Sequence, residues 1–269
     1  MSESPVHASG DLTAAFAFRA ELLGAARTRV LTGDELVQAS RLIYGHPEGL
    51  SVYGVPAPQM AGRGLRLLGR TTIECSVDSH CVEFAEVFAA RLDDEPQVTP
   101  GFIADLFCGS GNFGWHLGKR LNLPVFAAEL DPTVYAATQR NFQIMGISVH
   151  LSHTDYRDLL NNLPAHRPGD IYIVEPPWGN ALTEHGLNLE ATAPPVPEIL
   201  TAIRASRTSQ PCLIVVQTII IKPDDHITHE SLARCFRNAR HLLSITPPTT
   251  LPGEAEIELH VYACPPDLK

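Results

Sequence analysis

The run Glu175-Pro176-Pro177-Trp178-Gly179 places a carboxylate, two prolines and a flat ring directly after a short apolar stretch. Each proline fixes φ and lacks a backbone N–H, so the chain leaves that stretch through a rigid corner that aims a carbonyl and its neighbouring side chains. Glu175 and the Pro176 carbonyl can accept N–H groups from an amine, and Trp178 can stack on a flat ring or sit against a cation. An amine held in that way can attack carbon in an in-line displacement, where positioning supplies much of the rate. The glutamate side chain is also long enough to pair with an ammonium or guanidinium, or to act as general base toward a hydroxyl or carbon acid. A Pro-Pro corner can equally be a simple strand terminator. The following stretch, 180–197, is long enough for a lid or substrate wall. Pro177, Asn180 and His185 are its candidate substrate contacts, with His185 also a candidate general base.

A second constellation lies upstream in Ala104-Asp-Leu-Phe-Cys-Gly109-Ser-Gly111-Asn-Phe-Gly114. Gly109 and Gly111 allow a sharp turn and a close approach of backbone to ligand. Fifteen residues beyond Gly114 comes Glu129, a carboxylate able to accept both hydroxyls of a ribose. A GxGxxG turn followed by an acid is also the dinucleotide fingerprint. Asp105 argues against a pyrophosphate, which it would repel, and for a ligand that carries a cation such as an ammonium or sulfonium. The roughly 100 residues ahead of the motif, and the carboxylates that recur after the third and fourth strands, also depart from that fingerprint.

Taken in order, DLFCGSGNFG, AAELDP, HTDYRDLL and VEPPWGN resemble the motifs of the class I S-adenosylmethionine-dependent methyltransferases, over about residues 79–265. The resemblance implies S-adenosylmethionine as cofactor. It implies that Asp105, Gly109 and Gly111, with Phe107 and Asn112 beside them, hold the methionine part, and that Glu129 binds the ribose. It further implies that Asp155 accepts from the adenine amino group beside Tyr156, and that Leu130 packs on the adenine. Asp131 fits better as a helix cap. The Pro-Pro-Trp-Gly corner is similar to that of amino-group methyltransferases, the trimethylguanosine synthases in particular, whose tryptophan stacks on the target base. There the first motif residue is Asp, Asn or Ser, so Glu175 is a departure. The resemblance makes Glu175, Pro176 and Trp178 the candidate catalytic residues.

These residues require elements to carry them. Residues 11–28 read as a helix, and Thr32-Gly-Asp-Glu35 has capping-box spacing for a second helix. The Gly- and Pro-rich stretch from Tyr53 to Gly69 reads as irregular, with Arg63, Arg66 and Arg70 along it. Apolar spacing gives a helix from Ser79 to Arg91, then a linker to Pro100. Strands are expected over 102–107, 124–130, 149–152, 171–174, 212–221, 242–246 and 254–263. Helices are expected through Arg120 and over 132–145, 155–162, 197–207 and 230–243, the last carrying Arg234, Arg237 and Arg240. Such alternation predicts an α/β protein with a Rossmann-like, doubly wound seven-stranded sheet. The last strand, reached by a turn at Pro252-Gly253, should be antiparallel. The expected organisation is a disordered tail over 1–10, an N-terminal helical or irregular cap over 11–78, and a methyltransferase domain over 79–269.

Composition narrows the partners. The 269 residues carry 20 Lys+Arg against 30 Asp+Glu, a net charge of −10, which disfavours a protein that wraps nucleic acid by charge alone. A small-molecule acceptor is therefore preferred, with an RNA guanine or adenine amino group as the alternative and a non-catalytic cofactor-binding module as the competing class. The six cysteines are scattered without a CxxC pair, so reduced thiols and no metal are expected. His150/His153 and His226/His229 match no metal motif. No apolar run approaches a membrane span and the first ten residues lack a secretory pattern, so a cytoplasmic location is expected. The sequence does not fix the oligomeric state.

Overall fold

The computed structural model describes residues 17–207, 210–221, 225–248 and 255–266. The expected tail over 1–10 and the turn at Pro252-Gly253 lie outside them. Residues 17–23 are helical. Thr32 then caps α1 (Gly33–Tyr44): its Oγ1 accepts from the Glu35 N–H while Glu35 accepts from the Thr32 N–H. The stretch expected to be irregular instead forms a hairpin, β1 (Ser51–Val52) against β2 (Val55–Pro56), followed by the short α2 (Ala57–Met60). Tyr53, at φ 57°, and Gly54, at φ 75°, turn this hairpin. Two-residue strands are too short to show a hydrophobic period, which is why the sequence pattern misses them. After α3 (Gly69–Glu74), α4 (Asp78–Asp93) opens the α/β part.

From there strands and helices alternate: β3 (Ile103–Asp105), α5 (Asn112–Leu121), β4 (Val125–Glu129), α6 (Pro132–Met145), β5 (His150–His153), α7 (Tyr156–Asn161) and β6 (Asp170–Val174). A small hairpin, β7 (Leu182–Thr183) with β8 (Gly186–Leu187), leads to α8 (Val196–Ser206), β9 (Cys212–Ile221), α9 (His226–Cys235), β10 (Arg240–Ile245) and β11 (Ala255–Cys264). The central sheet has the order β10-β11-β9-β6-β3-β4-β5. The five strands from β9 to β5 are parallel, and β11 runs antiparallel to both of its neighbours. This is the doubly wound seven-stranded sheet expected from the sequence, with the last strand slotted inside the edge.

Alternate residues divide the core between two faces. Ala104, Tyr172, Val174, Ile214 and Val216 pack with α7, α8 and α9. Ile103, Ile171, Ile173, Leu213 and Val215 pack with Phe84 and Phe88 of α4 and Phe113 and Leu117 of α5. The N-terminal region has an apolar cluster of its own, which reaches Phe142 and Met145 of α6. At the base of the sheet Arg207 is enclosed with Asp170, at 3.3 Å, and donates to the Tyr172 hydroxyl at 2.7 Å.

Two expectations are corrected here. The helix expected over 230–243 is α9, shifted toward the N-terminus, because Asp225 caps it by accepting from the Thr228 N–H at 2.9 Å. The chain then turns so that Phe236 stacks on Tyr262, 4.1 Å between ring centres. Arg240 consequently begins a strand and binds Glu95 with both guanidinium nitrogens, at 2.8 and 2.9 Å, so it forms no basic helical face with Arg234. Among the described residues no helix is long and apolar enough to cross a membrane.

Candidate functional site

The carboxyl ends of β3, β4 and β6 meet at one sheet edge, and each ends in a carboxylate or leads directly into one. Asp105 closes β3 and is 3% exposed. Burial, and repulsion from Glu129, push its pKa up to about 7 against the pull of the Phe107 and Gly114 N–H groups. A Cβ on Gly114 would stand 2.7 Å from Asp105 Oδ2, so only glycine leaves that oxygen its place. Gly111, at φ 69°, combines a left-handed backbone with a close approach: a Cβ there would lie 2.5 Å from the Phe142 ring. Glu129 ends β4 and accepts from the Gly109 N–H at 3.1 Å and the Asp131 N–H at 2.7 Å, one on each oxygen. Each oxygen keeps a further lone pair, and burial raises this carboxyl too. Asp131 caps α6 through Thr133 and Val134, and takes a bond from Arg70.

Glu175 follows β6. Its Oε1 is enclosed and has no hydrogen-bond partner among the described residues. Burial first, then the charge of Asp105, raises its pKa to about 8. Pro176 is buried, Pro177 is exposed with its carbonyl accepting from Ala193, and Trp178 is half-buried against the core. On the far side of the glycine turn the Phe107 ring lies 5.1 Å from that of Tyr156, which is buried and whose hydroxyl has no partner among the described residues. Asp155 caps α7 through the Arg157 N–H. Leu130 is 63% exposed beside this group.

No family model matches the chain. Over 94 residues it is 29% identical to the 23S rRNA (uracil(747)-C(5))-methyltransferase RlmC of Shewanella baltica, which covers 35% of this chain and 24% of that protein. The RlmC of Vibrio cholerae is 32% identical over 98 residues, 36% of this chain and 26% of that one. The chain thus spans about a quarter of the length of the curated relatives it matches. Similar solved structures include magnesium protoporphyrin IX methyltransferase from Synechocystis with bound SAM, at 9% identity and TM-score 0.45 over 69% of this chain and 80% of that one. Another is precorrin-6y C5,15-methyltransferase from Geobacter metallireducens, at 14% and 0.42, over 66% and 87%.

Three expected site residues lie elsewhere or are already occupied. Asn112, expected beside the cofactor, is 1% exposed and spends its amide on the N-terminal region. Its Oδ1 accepts from the Tyr53 N–H at 2.9 Å, and its Nδ2 donates to the Ser76 carbonyl and to Asp78. His185 sits at the exposed tip of the β7–β8 hairpin beside Glu184, and Asn180 is exposed on the short 3-10 turn after the corner. The stretch carrying both is pinned to α9, where Thr228 Oγ1 and Ser231 Oγ accept from the Leu187 and Leu189 N–H groups. It is built as a wall rather than a free lid.

The sequence reading missed the residues that support the glycine turn from outside the α/β part. The Tyr53 hydroxyl donates to the Ser110 carbonyl, and Asp78 accepts from the Gly54 N–H while pairing with His116 at 2.7 Å. It also missed Gln217, which accepts from Ser76 at 3.1 Å. The available signal was a glutamine interrupting the apolar run of β9.

Proposed function

We propose that this chain is an S-adenosylmethionine-dependent methyltransferase that methylates an amino or ring nitrogen of a small, planar metabolite. The observation that carries the reading is the convergence of Asp105, Glu129 and Glu175 on one glycine-turned edge. Two of them are held near or above neutral pKa, with an enclosed Glu175 oxygen left unpartnered. Such a cradle repels phosphate and is relieved by a cation. When bound, S-adenosylmethionine supplies a methyl on a positively charged sulfur, which passes to a nucleophile as the carbon–sulfur bond breaks. Asp105 would hold the cationic methionine end. Glu129 would accept the ribose hydroxyls on the lone pairs its backbone partners leave free, and Phe107, Leu130, Asp155 and Tyr156 would flank the base.

Glu175 Oε1 and the Pro176 carbonyl would accept the N–H groups of the methyl acceptor, orient its lone pair and leave Glu175 to take the surplus proton. Trp178 stands at the root of the wall as the flat surface nearest this corner. RNA is the second reading, and the names of the curated relatives favour it. Against it, several arginines of the described surface are engaged by acids: Arg29 by Glu35, Arg120 by Glu86, Arg157 by Glu198, Arg234 by Glu190 and Arg240 by Glu95. Each such pair reduces the positive surface available to track a phosphate backbone.

Isothermal titration with S-adenosylmethionine, S-adenosylhomocysteine and NAD tests the cofactor reading. Binding of the first two and none of NAD is expected, and a response to NAD alone would overturn it.

A further inference from the structure

Gln217 has no role in the reading above, yet its placement couples it to Glu175. Val174 of β6 and Val216 of β9 are register partners on parallel strands, so Glu175 and Gln217 leave those strands side by side, about 4.8 Å apart in the hydrogen-bonding direction. Alternation puts Gln217 on the face of Leu213 and Val215, and Glu175 on that of Ile171 and Ile173, which is the α4–α5 face in both cases. Their surroundings agree. Ser76, in the segment just before α4, donates its hydroxyl to Gln217 Oε1 at 3.1 Å, and the Glu175 charge acts on Cys81 of α4.

The serine bond turns the Gln217 amide oxygen toward Ser76. With Oε1 engaged, its two Nε2 hydrogens have no partner among the described residues, and the residue is only half-buried. Beside it Glu175 Oε1 is enclosed and unpartnered. One sheet edge thus offers a carboxylate acceptor next to an amide donor, both on strand-borne side chains.

We infer that Glu175 and Gln217 together read the methyl acceptor, which presents an N–H next to a hydrogen-bond-accepting atom on one planar edge, as a carboxamide, lactam or amidine does. The inference rests on the methyltransferase reading and narrows its substrate class: a simple alkylammonium or a carboxylate satisfies only one of the two groups. Ser76 is then a positioning residue, since it holds the amide with its donors outward.

The test uses the full chain saturated with S-adenosylhomocysteine and two matched probe pairs in calorimetric titration: uracil against 1,3-dimethyluracil, and adenine against purine. Adenine and purine differ in the amino group alone, and uracil and 1,3-dimethyluracil in two N–H groups that methyls replace. Uracil and adenine should bind at least about 10-fold tighter than their partners, the kind of discrimination a paired polar site supplies. Gln217→Leu should erase that preference while the affinity for S-adenosylhomocysteine holds, and Gln217→Glu should turn the preference toward benzamidine, which offers donors to both carboxylates. If neither N–H probe binds, or if Gln217→Leu binds both as the wild type does and loses only thermal stability, Gln217 is a structural tie for Ser76 and the inference fails. If S-adenosylhomocysteine itself does not bind, the methyltransferase reading fails and takes this one with it; if it binds and the probes are not discriminated, this one alone falls.

Discussion

At the scale of single residues, the proposed chemistry turns on the buried Asp105 and the half-buried Glu175, whose pKa values desolvation lifts to about 7 and about 8. Both are raised above their unfolded values, so the folded chain without ligand binds more protons than the unfolded chain between roughly pH 4 and 8. Its stability should therefore fall as pH rises through that window. A cation in the cradle reverses the preference. The affinity for S-adenosylmethionine should consequently rise between pH 6 and 8.5, with a smaller gain for S-adenosylhomocysteine, which lacks the sulfonium. Calorimetric titration at four pH values checks this, and a flat profile would show that these carboxyls do not face the charge. Glu175→Gln keeps the shape and an acceptor oxygen but cannot take a proton. It should lower turnover about 10²-fold or more, the usual scale for losing a general base, while cofactor affinity changes far less. Unchanged turnover in a methyl-transfer assay would remove Glu175 from its assigned role.

At the scale of elements, the glycine turn depends on two supports: the sheet beneath it and the β1–β2 hairpin beside it. Asn112 joins them. Replacing it with alanine leaves the Tyr53 N–H and the Ser76 carbonyl without their amide partner in a buried setting. The expected cost is about 2–4 kcal/mol for two such groups, read as a lower denaturant midpoint together with weaker cofactor binding. A loss of stability with cofactor affinity intact would mean that the hairpin braces the fold without shaping the site. This joint also marks where the sequence stopped being legible. The strand ends that carry Asp105, Glu129 and Glu175 were readable, because apolar runs of strand length and glycine punctuation are local signals. Asp131 as a cap and the Thr32–Glu35 box were readable for the same reason. Tyr53, Ser76, Asp78 and Gln217 act across 24 to 141 positions of chain, a separation no local period records. The misplaced helix at 230–243 failed differently: the apolar positions were real, but the Asp225 cap and the Phe236–Tyr262 stack decided where the helix begins and ends.

At the scale of the whole molecule, the net charge of −10 matters less than how the positive charges are distributed. An acidic protein can still bind RNA through a local basic groove, so the total alone does not separate a metabolite from a nucleobase in RNA. Pairing does more. Glu95 takes both Arg91 and Arg240, Glu74 and Asp131 share Arg70, and Arg207 is enclosed with Asp170 at the opposite end of the sheet from the site. The pairs on the buried Glu95 and Asp170 remove their guanidinium groups from service to phosphate, because releasing them would strand a buried carboxylate. The exposed Arg41, Arg63, Arg66, Arg140, Arg167 and Arg237 have no acid partner among the described residues, but they sit on a chain with 30 Asp+Glu against 20 Lys+Arg. Binding to a generic single-stranded RNA at physiological salt should therefore be weaker than about 10⁻⁴ M, the weak limit of ordinary non-specific association. Filter binding between 50 and 200 mM salt measures it. A dissociation constant near 10⁻⁶ M with a steep salt dependence would mean that several phosphates are engaged. The acceptor would then be a base within RNA, and the edge formed by Glu175 and Gln217 would have to be reached by a nucleotide flipped out of its strand.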